Sequence, residues 1–227
     1  MSLLGKAALA MWWDMAADMR ADFEDWHTHE HFPERLGIPG FRRATRWGDA
    51  AGGEGVFVMY ELDDHDVLSS KPYLARLNAP TPWSAKMMPH HRQMVRSQCR
   101  VLDSGGGAVA RHALTIRLSP QAGREDALRT ALKAPIDALP MRPGVVGAHL
   151  LRHQAPPIAT TTEQKIRGLL DQFADWVMVI CGYDLGVLQE LARETFNDTA
   201  LRQAGAAEGA CFGVYSLAHS ATPGDIG

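Results

Sequence analysis

The run Asp25-Trp26-His27-Thr28-His29-Glu30-His31-Phe32-Pro33-Glu34-Arg35 holds the densest chemistry in the sequence. His27 and His31 are four residues apart, so on a helix they share one side about a turn apart. Glu30 follows His27 by three and shares that side with Phe23 and Trp26, while His29 points elsewhere. An imidazole titrating near neutrality can take and return a proton, and a neighbouring carboxylate can orient its ring. The spacing therefore casts His31 as a general base or hydrogen-bond donor to a ligand carbonyl. Glu30 would orient it, and His27 would be a second polar contact. Arg43, on the strand expected next, would stabilise a developing enolate or carboxylate. Phe23, Trp26, Trp47 and Trp12 would wall the pocket. The competing reading is ordinary structure: histidines complementing a helix C-terminus, Glu30 pairing with Arg35 or Arg43, and large aromatics filling a core.

His27-Thr28-His29-Glu30-His31 also fits H-x-x-E-H, in which two helical histidines hold zinc and the glutamate is the base. Such a site needs a third protein ligand, and the sequence offers no obvious one. Pro33, two residues past His31, ends or distorts the helix. A zinc-dependent hydrolase is the weaker alternative, and no cofactor is expected, with haem and zinc left open. Elsewhere, His90-His91 reads as a pocket lip or a solvated loop. His112 and His149, on strands, read as satisfied strand histidines or an axial haem ligand. Cys99 and Cys211 read as packing.

The elements that must position these groups repeat. Val56–Asp63 lines up with Val177–Asp184, and Pro39-Gly40-Phe41 with Pro143-Gly144-Val145. The first half reads as strand 8–14, helix 18–36, strand 41–48, strand 56–62, helix 66–77, an irregular Pro-rich stretch and strand 93–102. The second reads as strand 110–118, helix 124–139, strands 145–153 and 176–183, helix 186–203 and strand 210–218. Ser104-Gly105-Gly106-Gly107 is the expected hinge. An insertion at 154–175, long for a loop without structure of its own, reads as disordered or as a lid. The β-α-β-β-α-β order is the ferredoxin-like unit. The expected fold is α+β: two fused ferredoxin-like repeats, 5–104 and 108–220, packed sheet to sheet as an internally fused barrel-like pair.

Composition narrows the function classes. The 227 residues are 46% hydrophobic and 22% charged, with 23 Lys plus Arg against 26 Asp plus Glu. No basic excess or stripe marks a nucleic-acid partner, and no apolar run approaches the roughly 18–20 residues of a membrane span. The three cysteines have neither disulfide-framework nor zinc-ribbon spacing. The expected setting is cytoplasmic, the expected partner a small molecule, and pairing into a homodimer is compatible with the fused fold. Neither a phosphate-binding loop nor a G-x-S-x-G elbow occurs.

His31-Phe32-Pro33, following Trp26 and leading to Pro39-Gly40-Phe41, resembles the EthD-like family (ethyl tert-butyl ether degradation proteins) of the dimeric α/β-barrel superfamily. The resemblance covers about the first hundred residues. It implies a ferredoxin-like α+β barrel, with His31 as the family's helical histidine and Trp26 and Pro33 as its framework. In the second half Lys133-Ala134-Pro135 stands where the histidine segment would be, implying one site per chain. The superfamily implies a small-molecule enzyme (cyclase, isomerase, decarboxylase or cofactor-free monooxygenase) acting on a hydrophobic or aromatic substrate. The alternative is a non-catalytic module for a small ligand or haem.

Overall fold

The computed structural model describes residues 3–168 and 171–226. In chain order the elements are β1 (Ala7–Asp14), α1 (Arg20–Trp26), a π-helical turn (His27–His31), α2 (Phe32–Leu36), β2 (Phe41–Asp49), β3 (Gly55–Leu62), α3 (Lys71–Asn78), α4 (Pro82–Met87) and β4 (Arg92–Gly106). There follow β5 (His112–Leu118), α5 (Glu125–Ala138), β6 (Val145–His153), α6 (Thr162–Ile166), β7 (Trp176–Gly182), α7 (Leu185–Glu190), α8 (Asp198–Ala204) and β8 (Cys211–Ala221).

The eight strands close into one antiparallel barrel in the order β1-β3-β2-β8-β5-β7-β6-β4. Each half contributes four neighbouring strands, β4-β1-β3-β2 and β8-β5-β7-β6, and the halves join along the β2–β8 and β4–β6 ladders. The halves therefore meet edge to edge, and closure leaves no open sheet edge. Strand alternation divides the apolar residues among three cores. One fills the barrel, around the stacked rings of Trp12, Phe57 and Trp47, whose neighbouring centroids are 5.0 Å apart. The other two lie outside it, each beneath the helices of one half.

Several segments depart from the sequence expectation. The Ser104–Gly106 segment is not a hinge: β4 runs through it, pairing Gly105 with Ala148 and Gly106 with Gly147. Its glycines are there for close approach, since a Cβ on Gly106 would sit 2.2 Å from the Val146 carbonyl oxygen. The Pro-rich stretch forms α4, where Pro82 occupies the first turn and Thr81 caps it. The expected helix 186–203 is divided, with Asn197 capping α8. Helix 18–36 is continuous in path but passes through a π turn, in which the Phe32 N–H reaches back to the His27 carbonyl. Pro33, lacking an N–H and crowding the preceding turn, accounts for the widening just upstream of it.

The insertion doubles back over the first half. Gln172 pairs with β4, donating to the Met94 carbonyl at 2.9 Å and accepting from the Arg96 N–H at 2.7 Å. Thr161 caps α6 in a capping box with Gln164, and the Thr162 N–H donates to Asn78 Oδ1 on α3 at 3.1 Å. The second half thus supplies a wall to the first.

Candidate functional site

A cavity lies between the outer face of β1, β3 and β4 and the helical segments above it. It encloses about 40 Å³, or about 450 Å³ with its mouth. Alternation aims Leu9, Met11 and Trp13 of β1, Tyr60 of β3, and Met94 and Arg96 of β4 into this layer. Trp26, His27, His31 and Arg35 descend from α1, the π turn and α2, and Glu163 and Arg167 close one side from the insertion. The π turn brings the two imidazoles together: their centroids are 5.3 Å apart at 29°, and His31 lies 4.5 Å from Trp26.

Both histidines are buried. Burial first, then for His27 the neighbouring His31 and for His31 the Arg35 cation, hold each well below the ordinary histidine pKa. His91, whose Nδ1 donates to the Met88 carbonyl at 3.1 Å, is pushed down by burial to about 4. The cavity therefore presents neutral imidazoles at pH 7. Burial also raises the Tyr60 phenol, which stays protonated. Arg35 forms a short ion pair with Glu163 and sits 3.4 Å from Glu34. Burial opposes its charge, but these carboxylates and Tyr73 more than offset that cost and keep it cationic. Arg167 pairs with Asp171 at 2.7 Å. Arg96 Nη2 donates to the Tyr73 hydroxyl at 2.7 Å, with no carboxylate in salt-bridge reach among the described residues.

Four lining residues carry a buried polar atom without a hydrogen-bond partner among the described residues: Trp13 Nε1, His27 Nδ1, His31 Nδ1 and the Tyr60 hydroxyl. Buried polar groups are ordinarily paired, at a cost of roughly 1–3 kcal/mol each when they are not. Their concentration around one cavity makes it the candidate site.

No family model matches the chain, and no curated protein matches it. Solved structures do. An anthrone oxidase-like protein is 12% identical with a TM-score of 0.65, covering 100% of this chain and 97% of that one. A candidate monooxygenase from Fusobacterium nucleatum is 8% identical with a TM-score of 0.62, covering 97% and 96%. Another, from Lactobacillus acidophilus, is 8% identical with a TM-score of 0.59, covering 96% and 97%. The chain shares with them an α+β fold built on a closed eight-stranded antiparallel barrel. At these identities the likeness carries the fold and no residue roles.

Within that fold the expected site residues separate. His27, His31 and Trp26 line the cavity, and Phe23 packs behind them, 5.2 Å from His27. Glu30 does not orient His31. Its Oε1 accepts from Trp26 Nε1 at 3.1 Å, Thr81 Oγ1 at 2.5 Å and Ser84 Oγ at 3.4 Å, so it fixes the indole instead. The carboxylate beside His31 is Glu34, 3.8 Å away. Arg43 points into the barrel, where it forms a two-pronged pair with Glu61 at 2.7 and 2.9 Å. Trp12 and Trp47 belong to the barrel core, with Trp12 Nε1 donating to Thr115 Oγ1 at 3.2 Å. A β-bulge between Phe41 and Arg43 reverses the face: Phe41 packs under the helices while Arg43 and Trp47 turn inward.

The alternative sites fare as follows. Among the described residues no group of three His, Cys, Asp or Glu side chains could hold a metal, and H-x-x-E-H fails because its glutamate is turned to Trp26. The pocket residues do not fit haem either. The His27 and His31 rings lie against Phe32 and Trp26, at 4.3 and 4.5 Å between centroids, which leaves neither imidazole free for an axial bond. His149 is a satisfied strand histidine, bonded to Ser104 Oγ at 2.8 Å and the Gly107 carbonyl at 3.1 Å. His91 joins the cavity wall. Among the described residues no helix is long and apolar enough to cross a membrane. Sequence reasoning missed Tyr60, Arg96, Arg35 and Glu163. Alternation along Val56-Phe57-Val58-Met59-Tyr60 could have flagged Tyr60, but nothing local points to Glu163.

Proposed function

We propose that this chain is a small-molecule enzyme that performs acid–base chemistry on a hydrophobic or aromatic substrate in the first-half cavity. The observation carrying this reading is the neutral, stacked His27–His31 pair with unpaired Nδ1 atoms in an aromatic cavity. A neutral imidazole shielded from water is a competent base for a weakly acidic C–H or O–H. His31 takes that proton, and the bonding electrons stay on the substrate as an enolate. Arg96, the lining cation without a carboxylate partner among the described residues, stabilises the oxygen on which that charge develops. Met11, Met88 and Met94 let the wall adapt to the substrate body.

Among the reactions open to such an enolate we favour cofactor-free oxygenation, in which dioxygen takes the substrate's electrons. The likeness of the fold to an anthrone oxidase-like protein and to two candidate monooxygenases supports that choice. The strand order of each half supports two fused ferredoxin-like repeats, 5–104 and 108–220. The EthD-like resemblance of His31-Phe32-Pro33 supports His31 as the working histidine, with Trp26 and Pro33 framing it.

The test is solvent-deuterium exchange into, and oxygen uptake with, enolisable aryl ketones such as anthrone. The wild-type chain accelerates exchange, and His31→Phe, which keeps the ring volume, reduces it by a factor of about 10²–10⁴, the usual worth of a positioned base. Binding without exchange in the wild type would leave a ligand-binding module in place of the enzyme.

A further inference from the structure

Two of the unpaired atoms around the cavity belong to residues four positions apart along its strand floor. Tyr60 stands opposite Leu9 on β1, and Trp13 lies four residues further along that strand, roughly 14 Å away at 3.4 Å per residue. The Tyr60 ring packs beside Phe32 and Phe41, with both centroids at 5.6 Å. The Trp13 ring packs against His91 at 4.8 Å. The floor between them is Met11, and His31 lines the same cavity from the π turn. An indole N–H can only donate, so whatever satisfies Trp13 Nε1 is an acceptor. The Tyr60 phenol is free to donate as well.

Deepening the reading of this cavity as a small-molecule site, and resting on it, we infer that its ligand is a flat, extended aromatic molecule with an oxygen near each end. The Tyr60 hydroxyl and Trp13 Nε1 hold the two oxygens, so that the middle of the ring system lies beneath His31. The two donors are then specificity determinants: they fix the register of the substrate along the cavity, and with it which carbon faces the base. An aromatic body with one oxygen would satisfy one end only and would slide; one with none would leave both donors buried and unpaired. A hydrogen bond lost in a desolvated pocket costs about tenfold in affinity.

The probes are naphthalene, 2-naphthol and 2,6-dihydroxynaphthalene, titrated against the full chain by intrinsic fluorescence. The expected order is diol tighter than mono-ol tighter than hydrocarbon, with about tenfold at each step. Tyr60→Phe and Trp13→Phe each bring the diol down to the level of 2-naphthol. Tyr60→Phe removes only a hydroxyl that has no partner, so its melting temperature stays level or rises, which separates a lost contact from a lost fold. Equal affinity for all three probes, no binding of any to the wild type, or an unchanged diol affinity in Tyr60→Phe would overturn the inference. His31→Phe distinguishes it from the reading on which it rests. If the base assignment fails, exchange survives in His31→Phe while the probe order stands. If the two-ended ligand fails, the order is flat while exchange still depends on His31.

Discussion

The two halves of the barrel cover the same kind of sheet with helices, and fill the space between differently. In the second half, Leu128, Leu132 and Ile136 recur every four residues along α5 and are buried against Leu114, Ile116, Met178 and Ile180. In the first, the equivalent layer contains imidazoles, an indole and a phenol. All eight buried side-chain polar atoms without a partner among the described residues lie between Trp13 and Gln98. Since each costs roughly 1–3 kcal/mol, a half that only had to be stable would replace them with aliphatic residues, as the second half does. Four of the eight line the cavity, so the breach of polar satisfaction is concentrated where the site is proposed.

The largest effect expected is at the wall shared between the halves. Glu163→Ala leaves Arg35 buried with only the 3.4 Å contact to Glu34, and the loss should be about 3–5 kcal/mol in urea denaturation. The exposed Lys133–Asp137 pair on α5, also an ion pair at 2.8 Å, should cost no more than about 0.5 kcal/mol when Lys133→Ala breaks it. A similar cost at both places would erase the distinction. Next, Leu132→Ala should cost about 2–5 kcal/mol and leave probe binding in the first half untouched.

Acid should act on the histidine cavity next. His91 has a pKa of about 4 in the folded protein against about 6.5 unfolded. Because the folded value is lowered, its contribution is fully present above pH 6.5 and is lost as pH falls towards 4. That amounts to about 3 kcal/mol. His27 and His31 add in the same direction. His149 supplies a comparable dependence in the other half, so the measurement is the difference between wild type and His91→Gln. The variant should show about one proton less in the pH slope of unfolding free energy between pH 6.5 and 4.

Much of this was legible in the sequence. Alternation, Pro-Gly turns and the 3.6-residue period located the eight strands and α5, because those signals are local. The His27–His31 pair was legible for the same reason. Arg43 was misplaced because a bulge after Phe41 adds a residue and turns the strand over, an event that no periodicity announces. Glu30 was given to His31 because spacing cannot say that Thr81 and Ser84, over fifty residues away, would compete for it. Glu163 reaches Arg35 across 128 residues, and only the folded insertion brings them together.

The central claim is that the first-half cavity keeps His27 and His31 as neutral imidazoles, available as bases. Nitrogen-15 NMR titration of the histidine rings tests it directly. The account predicts that both rings remain neutral on passing down through pH 6.5, while the folded protein is intact. A titration of either ring at the ordinary midpoint near 6.5 would contradict it, because burial would then not be what holds the ring neutral.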